Sequence, residues 1–262
     1  TMEHGASATE SPGGTRQPSF GVMRFQDVVA SLDGVTVKVS GMPVPASGSR
    51  YEVWLTRGEN RRSLGVLKLD AAGEGALGFS DGQSLNLLGR FDTLEITVEP
   101  SPDSSPNSSN VVAFSSGIPP ESLMHIRHLL VSISDTPGQI GLVHGLMADA
   151  QLVEEYTNAM LAAFDAGDEA AARANAEAVV NLLVGSQSEM YGDLDGDGAL
   201  NDPGDGYGFL LNGDSPGYTG GVYSHAQYAV QSAGVPASVQ LHGGHVMLSI
   251  QNVEGWSVQL RD

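Results

Sequence analysis

Apolar and polar residues alternate along several short segments in the first half of the chain. The alternation is clear at residues 35–39, 51–55, 67–69 and 94–98. A side-chain period of two is typical of half-buried β-strands. Glycine and proline separate these segments, as expected for tight turns. From Phe20 onward the pattern therefore predicts a sandwich of short antiparallel strands.

The apolar period changes to three or four residues after the segment 117–120, which reads Gly-Ile-Pro-Pro. Two consecutive prolines end a strand and are compatible with the first turn of a helix. Apolar residues at this spacing predict helices over about residues 123–133, 140–164, 169–183 and 222–232. The second half of the chain is therefore predicted to be helical.

The pattern of residues 239–250 is compatible with two secondary structures, a β-hairpin and a helix. Gly243 and Gly244 lie between alternating apolar residues, as in a hairpin, but the apolar positions also form a helical stripe. Two internal glycines disfavour a helix by roughly 2 kcal/mol. We nevertheless favour the helix, because it gives the preceding helices a packing partner. The predicted fold class is α+β in two domains, an antiparallel β-sandwich followed by an all-α helical bundle.

Charge divides the chain at the same place as the hydrophobic pattern. Residues 20–117 hold 8 basic and 11 acidic side chains, whereas residues 118–262 hold 3 basic and 18 acidic ones. This asymmetry indicates two domains with different surface chemistry. Residues 1–19, which are rich in glycine, serine, threonine and proline, are predicted to form a flexible tail.

Composition excludes several classes of function. The net charge of −19 disfavours nucleic acid and anionic membranes as partners, and the lack of cysteine excludes disulfides and thiolate chemistry. The sequence contains no run of about 18 apolar residues, so no membrane-spanning helix is predicted. Thr1 is an unusual natural start, so we expect an export or anchoring segment ahead of it.

Residues 20–117 resemble the C-terminal, extracytoplasmic domain of the anti-sigma-K factor family. The order and spacing of several stretches carry the resemblance. They are Tyr51-Glu-Val-Trp-Leu55, Ser63-Leu-Gly-Val66 with Asp70-Ala-Ala-Gly-Glu-Gly75, and Leu94-Glu-Ile-Thr-Val-Glu-Pro100 followed by 101–107 and Val111-Val-Ala113.

The resemblance implies a bacterial protein in the cell envelope or outside the cell. In that family a transmembrane helix joins the domain to a cytoplasmic segment that sequesters a sigma factor. These 262 residues contain neither part, so the resemblance implies a fold, a location and a link to signalling, not sigma-factor inhibition. The residues themselves indicate a structural role for Trp54, which can fill the core of a sandwich.

An aspartate-rich loop at residues 193–205 reads Asp-Leu-Asp-Gly-Asp-Gly-Ala-Leu-Asn-Asp-Pro-Gly-Asp. Calcium takes six to eight oxygen ligands, and alternate residues of a tight loop direct their oxygens toward one centre. The sequence resembles EF-hand and dockerin-type loops. The predicted calcium ligands are Asp193, Asp195, Asp197, the carbonyl of Ala199, and Asn201.

The loop departs from those families at its twelfth position, where Gly204 replaces a carboxylate. Asp205 follows one residue later and is the predicted closing ligand, with Asp202 as a substitute. A solvated acidic turn without an ion is the alternative. A structural calcium is favoured, because an ion would order a glycine-rich connection that lacks a core.

Histidines provide a second set of candidate ligands. Residues 118–262 contain six of the seven histidines, and two pairs of them are spaced i, i+3. Imidazoles on facing helices can bind zinc, copper or iron, with Glu121 and Glu177 as candidate carboxylate partners. Surface or structural roles are the alternative. The candidate ligands are His125, His128, His144, His225, His242 and His245.

The sequence lacks familiar catalytic motifs. Two bare patterns occur, Gly-x-Gly-x-x-Gly at residues 73–78 and Gly-x-Ser-x-Gly at residues 213–217. The first has no predicted helix after it and the second has no predicted strand before it, so neither has the context of a dinucleotide fingerprint or a nucleophile elbow. The sequence has no phosphate-binding loop and no His-Glu-x-x-His pair. We therefore expect a non-enzymatic extracytoplasmic binding or sensing module with a calcium-stabilised helical domain, whose partner is an unidentified protein or small molecule. The alternatives are a helical bundle that binds a transition metal and a hydrolase with an unfamiliar site.

Overall fold

A computed structural model describes residues 20–262, so the predicted tail at 1–19 lies outside the described residues. The described chain divides into two compact units. The first runs to Leu123 and includes Ser232–Val239, and the second comprises Met124–Gln231 and Gln240–Asp262.

The first unit consists of seven strands in two antiparallel sheets. One sheet has the order β1-β2-β5 and the other has the order β4-β3-β6-β7. The strands are β1 (Gly21–Gln26), β2 (Gly34–Val39), β3 (Ser49–Arg57), β4 (Asn60–Leu67), β5 (Gly75–Ser80), β6 (Thr93–Pro100) and β7 (Val112–Gly117), with a short helix α1 (Leu87–Arg90) before β6.

Alternation along the strands places apolar side chains from both sheets in one core. Val35 and Val37 of β2 belong to the same buried cluster as Val53 of β3 and Ile96 of β6. Strand β3 lies at the centre of its sheet, where it pairs with both β4 and β6. Trp54 is buried, and its indole Nε1–H donates to Thr97 Oγ1 at 3.0 Å.

The second unit contains most of the helical half of the chain. The helices are α2 (Pro120–Leu130), α3 (Leu142–Asp165), α4 (Glu169–Val184), α5 (Gly217–Gln231) and α6 (Ala237–Arg261). Apolar residues from α2, α3, α5 and α6 form one core, and α4 packs on α3 beside a smaller cluster that includes Phe209 and Leu210. Among the described residues, no helix is long and apolar enough to cross a bilayer.

The predicted fold class is confirmed, because antiparallel sheets precede a helical part. Residues 239–250 lie within α6, so this segment is a helix and not a hairpin. Three strands that the alternation did not predict, β1, β5 and β7, complete the sheets. The alternation at 67–69 misplaces the fourth strand, because β4 runs from Asn60 to Leu67 and Leu69 forms only an isolated bridge with Gly75.

Candidate functional site

The aspartate loop lies in the irregular connection between α4 and α5, and α4 holds it through two buried polar residues. Glu177 and Asn181 are one turn apart on the helix and are 2% and 0% exposed. The Asn181 amide donates to the carbonyls of Gly192 and Asn201 and accepts from Gly192 N–H. Asn181 therefore holds the chain directly before the loop, at Gly192, and within the loop, at Asn201.

Glu177 fastens the same loop by its carboxylate. Oε2 accepts hydrogen bonds from the backbone N–H groups of Leu194 (2.8 Å) and Asp195 (3.2 Å), and Oε1 accepts from that of Asn201 (2.7 Å). A buried carboxylate is tolerated when several N–H groups satisfy it. The loop backbone is therefore anchored on α4 by protein groups alone.

The aspartates inside the loop accept hydrogen bonds from backbone N–H groups of the same loop. Asp193 accepts from Gly196 N–H at 2.7 Å and from Gly198 N–H at 2.9 Å. Asp195 Oδ1 accepts from Asp197 N–H, and Asp197 Oδ1 accepts from Ala199 N–H. Gly196 and Gly198 have φ values of 77° and 88°, which side chains disfavour but glycine adopts freely.

Carboxylates of Glu177, Asp193 and Asp195 lie close enough to share a cation, with one oxygen from each within 4.8 Å of the others. Oxygens that surround calcium at about 2.3–2.6 Å are separated by distances of this order. Glu177 is buried, Asp193 is exposed and Asp195 is half-buried. The donor set is all oxygen, which suits a hard cation such as calcium.

The two residues considered for closing the loop have other partners. Asp205 accepts from the Tyr218 hydroxyl and from Tyr207 N–H, and Asp202 accepts from the Tyr191 hydroxyl and Gly204 N–H. Burial, followed by the hydrogen bond and charge of Asp202, raises the pKa of Tyr191 to about 12.

These two aspartates also face Asp149 of α3, which is only 4% exposed. Burial raises the pKa of Asp149 to about 7, and the charges of Asp205 and Asp202 and a hydrogen bond with Asp205 act in the same direction. Asp149 thus forms a carboxyl pair with Asp205, in which Asp149 is buried and Asp205, the last residue of the aspartate loop, is exposed. This pair could not be predicted from sequence, because its members are 56 residues apart.

Three of the six candidate histidines come together in the second unit. His125 and His128 of α2 and His225 of α5 are half-buried, and each offers a ring nitrogen within 4.8 Å of the others. His225 Nδ1 lies 3.0 Å from His125 Nδ1 and 3.2 Å from His128 Nδ1. The ring of Tyr228 lies 5.1 Å from that of His125.

Burial and the neighbouring rings of His128 and His125 lower the pKa of His225 to about 4, against the opposing charge of Asp135. The remaining candidates do not join this cluster. His242 and His245 form a separate exposed pair on α6, with ring centroids 5.9 Å apart, and His144 lies on α3.

One comparison with known proteins identifies the first unit. Residues 9–111 match the family model described as anti-sigma-K factor rskA, C-terminal. The sandwich is an anti-sigma-K-factor-related domain. The match covers about two fifths of the chain and ends before the helical half. No curated protein and no solved structure matches the chain.

The candidate sites all lie in the second unit, which the match to the anti-sigma-K factor family model does not reach. Sequence reasoning considered Glu177 only as a carboxylate partner for histidines, whereas the structure places it at the aspartate loop. A signal was present: Glu177 and Asn181 interrupt the apolar face of α4 formed by Ala178, Leu182 and their neighbours. Polar residues at such positions usually satisfy backbone groups of a neighbouring segment.

Proposed function

We propose that the chain is a non-catalytic binding or sensing module of the bacterial cell envelope. Its anti-sigma-K-factor-related domain would be the envelope-facing unit, and its helical unit would be stabilised by calcium. Support comes from the family match over residues 9–111 and from the oxygen-rich loop between α4 and α5. The partner is a protein or a small molecule outside the cytoplasm.

The convergence of Glu177, Asp193 and Asp195 is the observation that carries the calcium part of the proposal. A calcium ion there would have carboxylates from the loop and from α4 in its coordination sphere. Asp197, the Ala199 carbonyl and Asn201 are further oxygen donors in the same loop. Glu177 supplies the additional carboxylate that the loop lacks at its twelfth position.

Calcium would act as a structural ion in this arrangement. The loop is already ordered by Glu177 and Asn181, so the ion adds to an existing conformation and does not create a new one. Calcium sites of extracellular modules bind with dissociation constants of about 10⁻⁴–10⁻³ M. An affinity in this range would agree with a location outside the cytoplasm.

Thermal unfolding with and without calcium tests this proposal. At a calcium concentration about 100-fold above Kd, the wild-type melting temperature should rise by roughly 5–10 °C relative to a chelator. Asp193→Asn should abolish most of that rise, because it removes a loop carboxylate. Asp214→Asn, which removes an equal charge from an exposed position outside the loop, is the matched control and should retain the rise.

Two results would contradict the calcium proposal. One is a wild-type melting temperature that calcium leaves unchanged, and the other is an equal calcium response in Asp193→Asn and the wild type. The envelope location is tested separately by fractionating cells that express the full-length protein. Recovery of the protein free in the cytoplasm would overturn that part.

A further inference from the structure

Three imidazoles from two helices meet at one point in the second unit, and none of them is used in the proposed function. His125 and His128 are one turn apart on α2, so their side chains lie on one face of the helix. His225 of α5 lies opposite them, 100 and 97 residues later in the sequence. Local spacing on α2 forms the pair, and helix packing adds His225 to it.

The contacts in this cluster are not explained by hydrogen bonding between neutral rings. A ring nitrogen carries either a proton or a lone pair in the plane of the ring, and so it makes one linear hydrogen bond. His225 Nδ1 faces two other Nδ1 atoms, at 3.0 Å and 3.2 Å. In any combination of tautomers, at least one of these contacts lacks a linear hydrogen bond.

A metal ion removes this conflict, because it accepts the lone pairs of all three nitrogens. With zinc–nitrogen bonds of about 2.0–2.1 Å, tetrahedral geometry places two ligand nitrogens about 3.3–3.4 Å apart. The observed separations of 3.0 and 3.2 Å need to increase by only a few tenths of an ångström. The side chains are half-buried, so an ion can reach them from solvent.

We infer that His125, His128 and His225 form a site for a divalent transition metal such as zinc. Three imidazoles suit zinc, cobalt, nickel and copper(II) rather than calcium or magnesium, which prefer oxygen. The site is independent of the aspartate loop, because it shares no residue with it. Three protein ligands leave a fourth position for water or another small ligand.

Cobalt(II) titration of the untagged protein tests the site, since tetrahedral cobalt with imidazole ligands absorbs visible light strongly. The titration is carried out in excess calcium so that the aspartate loop does not compete. We expect one cobalt per chain, a visible spectrum that zinc abolishes by displacement, and loss of the spectrum in His225→Gln and His128→Gln. His242→Gln, on the exposed α6 pair, is the control and should retain it.

X-ray absorption of the zinc-loaded wild type gives a second readout that does not depend on variant folding. Three imidazoles in the zinc coordination shell support the site. A zinc coordination shell with one imidazole or none would overturn the proposed site. So would a wild-type protein without a cobalt spectrum, or a spectrum that is lost only in His242→Gln. Circular dichroism of the metal-free variants confirms that they are folded, and an unfolded variant leaves the decision to the absorption measurement.

Discussion

At the scale of single residues, buried carboxylates hold irregular backbone in place in both units. Asp33, which has no exposed surface, accepts from the N–H groups of Val28, Val29 and Ala30. Its burial alone would raise its pKa, but the backbone hydrogen bonds outweigh this and lower it. Glu177 plays the same structural role beneath the aspartate loop.

Asp149 is the exception, because its closest partners are carboxylates. Its raised pKa, about 7, means that the folded protein retains a proton there that the unfolded chain loses near pH 4. The folded state therefore binds more protons between these two pH values. Its stability must fall as the pH rises from about 4 to about 7.

Replacing Asp149 by asparagine should remove this pH dependence. In the presence of a chelator, the free energy of unfolding of the wild type should be lower at pH 8 than at pH 5, because ionised Asp149 is buried beside Asp205 and Asp202. Asp149→Asn should reduce that difference and should be the more stable protein at pH 8. Urea unfolding of both proteins at pH 5 and pH 8 measures these free energies.

Asp165→Asn removes the same charge from the exposed end of α3 and serves as the control. In Asp165→Asn, the free energy of unfolding should differ between pH 5 and pH 8 by as much as it does in the wild type. An Asp149→Asn variant that keeps the full wild-type difference would show that Asp149 does not retain a proton in the folded state.

Sequence alone can suggest a group of candidate ligands only where they are close together in the chain. The spacing of Asp193, Asp195 and Asp197 predicts a cation-type loop, because alternate residues of a short loop can direct their oxygens toward one centre. Glu177 contributes from a helix 16 residues earlier, and His225 joins its partners from about 100 residues away. Such contacts depend on helix packing, which periodicity does not specify.

At the scale of elements, the approach of α3 to α5 depends on a glycine. A Cβ added at Gly145 would lie 2.2 Å from the hydroxyl oxygen of Tyr218. Tyr218 is fully buried, and its hydroxyl donates to Asp205 Oδ2 at 2.5 Å. A side chain at position 145 would displace Tyr218 from its partner.

Gly145→Ala should therefore destabilise the protein, although alanine is the better helix former. We expect a loss of about 1–3 kcal/mol from overpacking, which exceeds the gain of about 0.5–1 kcal/mol in helix propensity. Gly244→Ala in α6 is the matched control, because no atom lies within 4 Å of an added Cβ there. It should stabilise the protein, and denaturant unfolding compares the two variants.

Equal effects of the two substitutions would contradict the close packing of Gly145 against Tyr218. A stabilised Gly145→Ala variant would do the same. The comparison isolates packing, because both variants make the same chemical change inside a helix.

Elements with strong periodicity could be predicted, and weaker ones could not. Strands β2, β3 and β6 carry valine, isoleucine or leucine at alternate positions. Strand β5 contains Gly75 and Gly78, and β7 contains two serines and a glycine, residues with low strand propensity. Their strand structure comes from pairing with β2 and β6, which is a tertiary effect.

At the scale of the whole molecule, the acidic charge is concentrated in the helical half. The net charge is −19, and residues 118–262, with 3 basic and 18 acidic side chains, account for −15 of it. A field of this sign raises the local concentration of cations. It also makes any cation affinity sensitive to ionic strength.

Calcium binding should therefore weaken when monovalent salt is added. Raising potassium chloride from about 20 mM to about 500 mM shortens the Debye length from roughly 20 Å to roughly 4 Å, so distant carboxylates no longer contribute. We expect Kd to increase several-fold, as measured by calorimetry at constant pH. A Kd that does not change with salt would show that only the coordinating groups determine the affinity.

The family of the first unit could be inferred from sequence, because short motifs in a fixed order survive in residues 20–117 and the family model matches there. The helical unit carries no such motifs, and periodicity gives its helices without their arrangement. The packing of α2, α4 and α5 therefore decides which of its candidate ligands come together.

The separation of the three histidines along the chain has a thermodynamic consequence. A metal bound to His225 and to His125 or His128 would close a covalent-like ring of about 100 residues, which includes α3, α4 and the aspartate loop. A crosslink of that span lowers the entropy of the unfolded chain by an amount comparable with that of a disulfide. In a protein without cysteine, the metal would serve as a reversible crosslink, which a chelator would break by removing the ion.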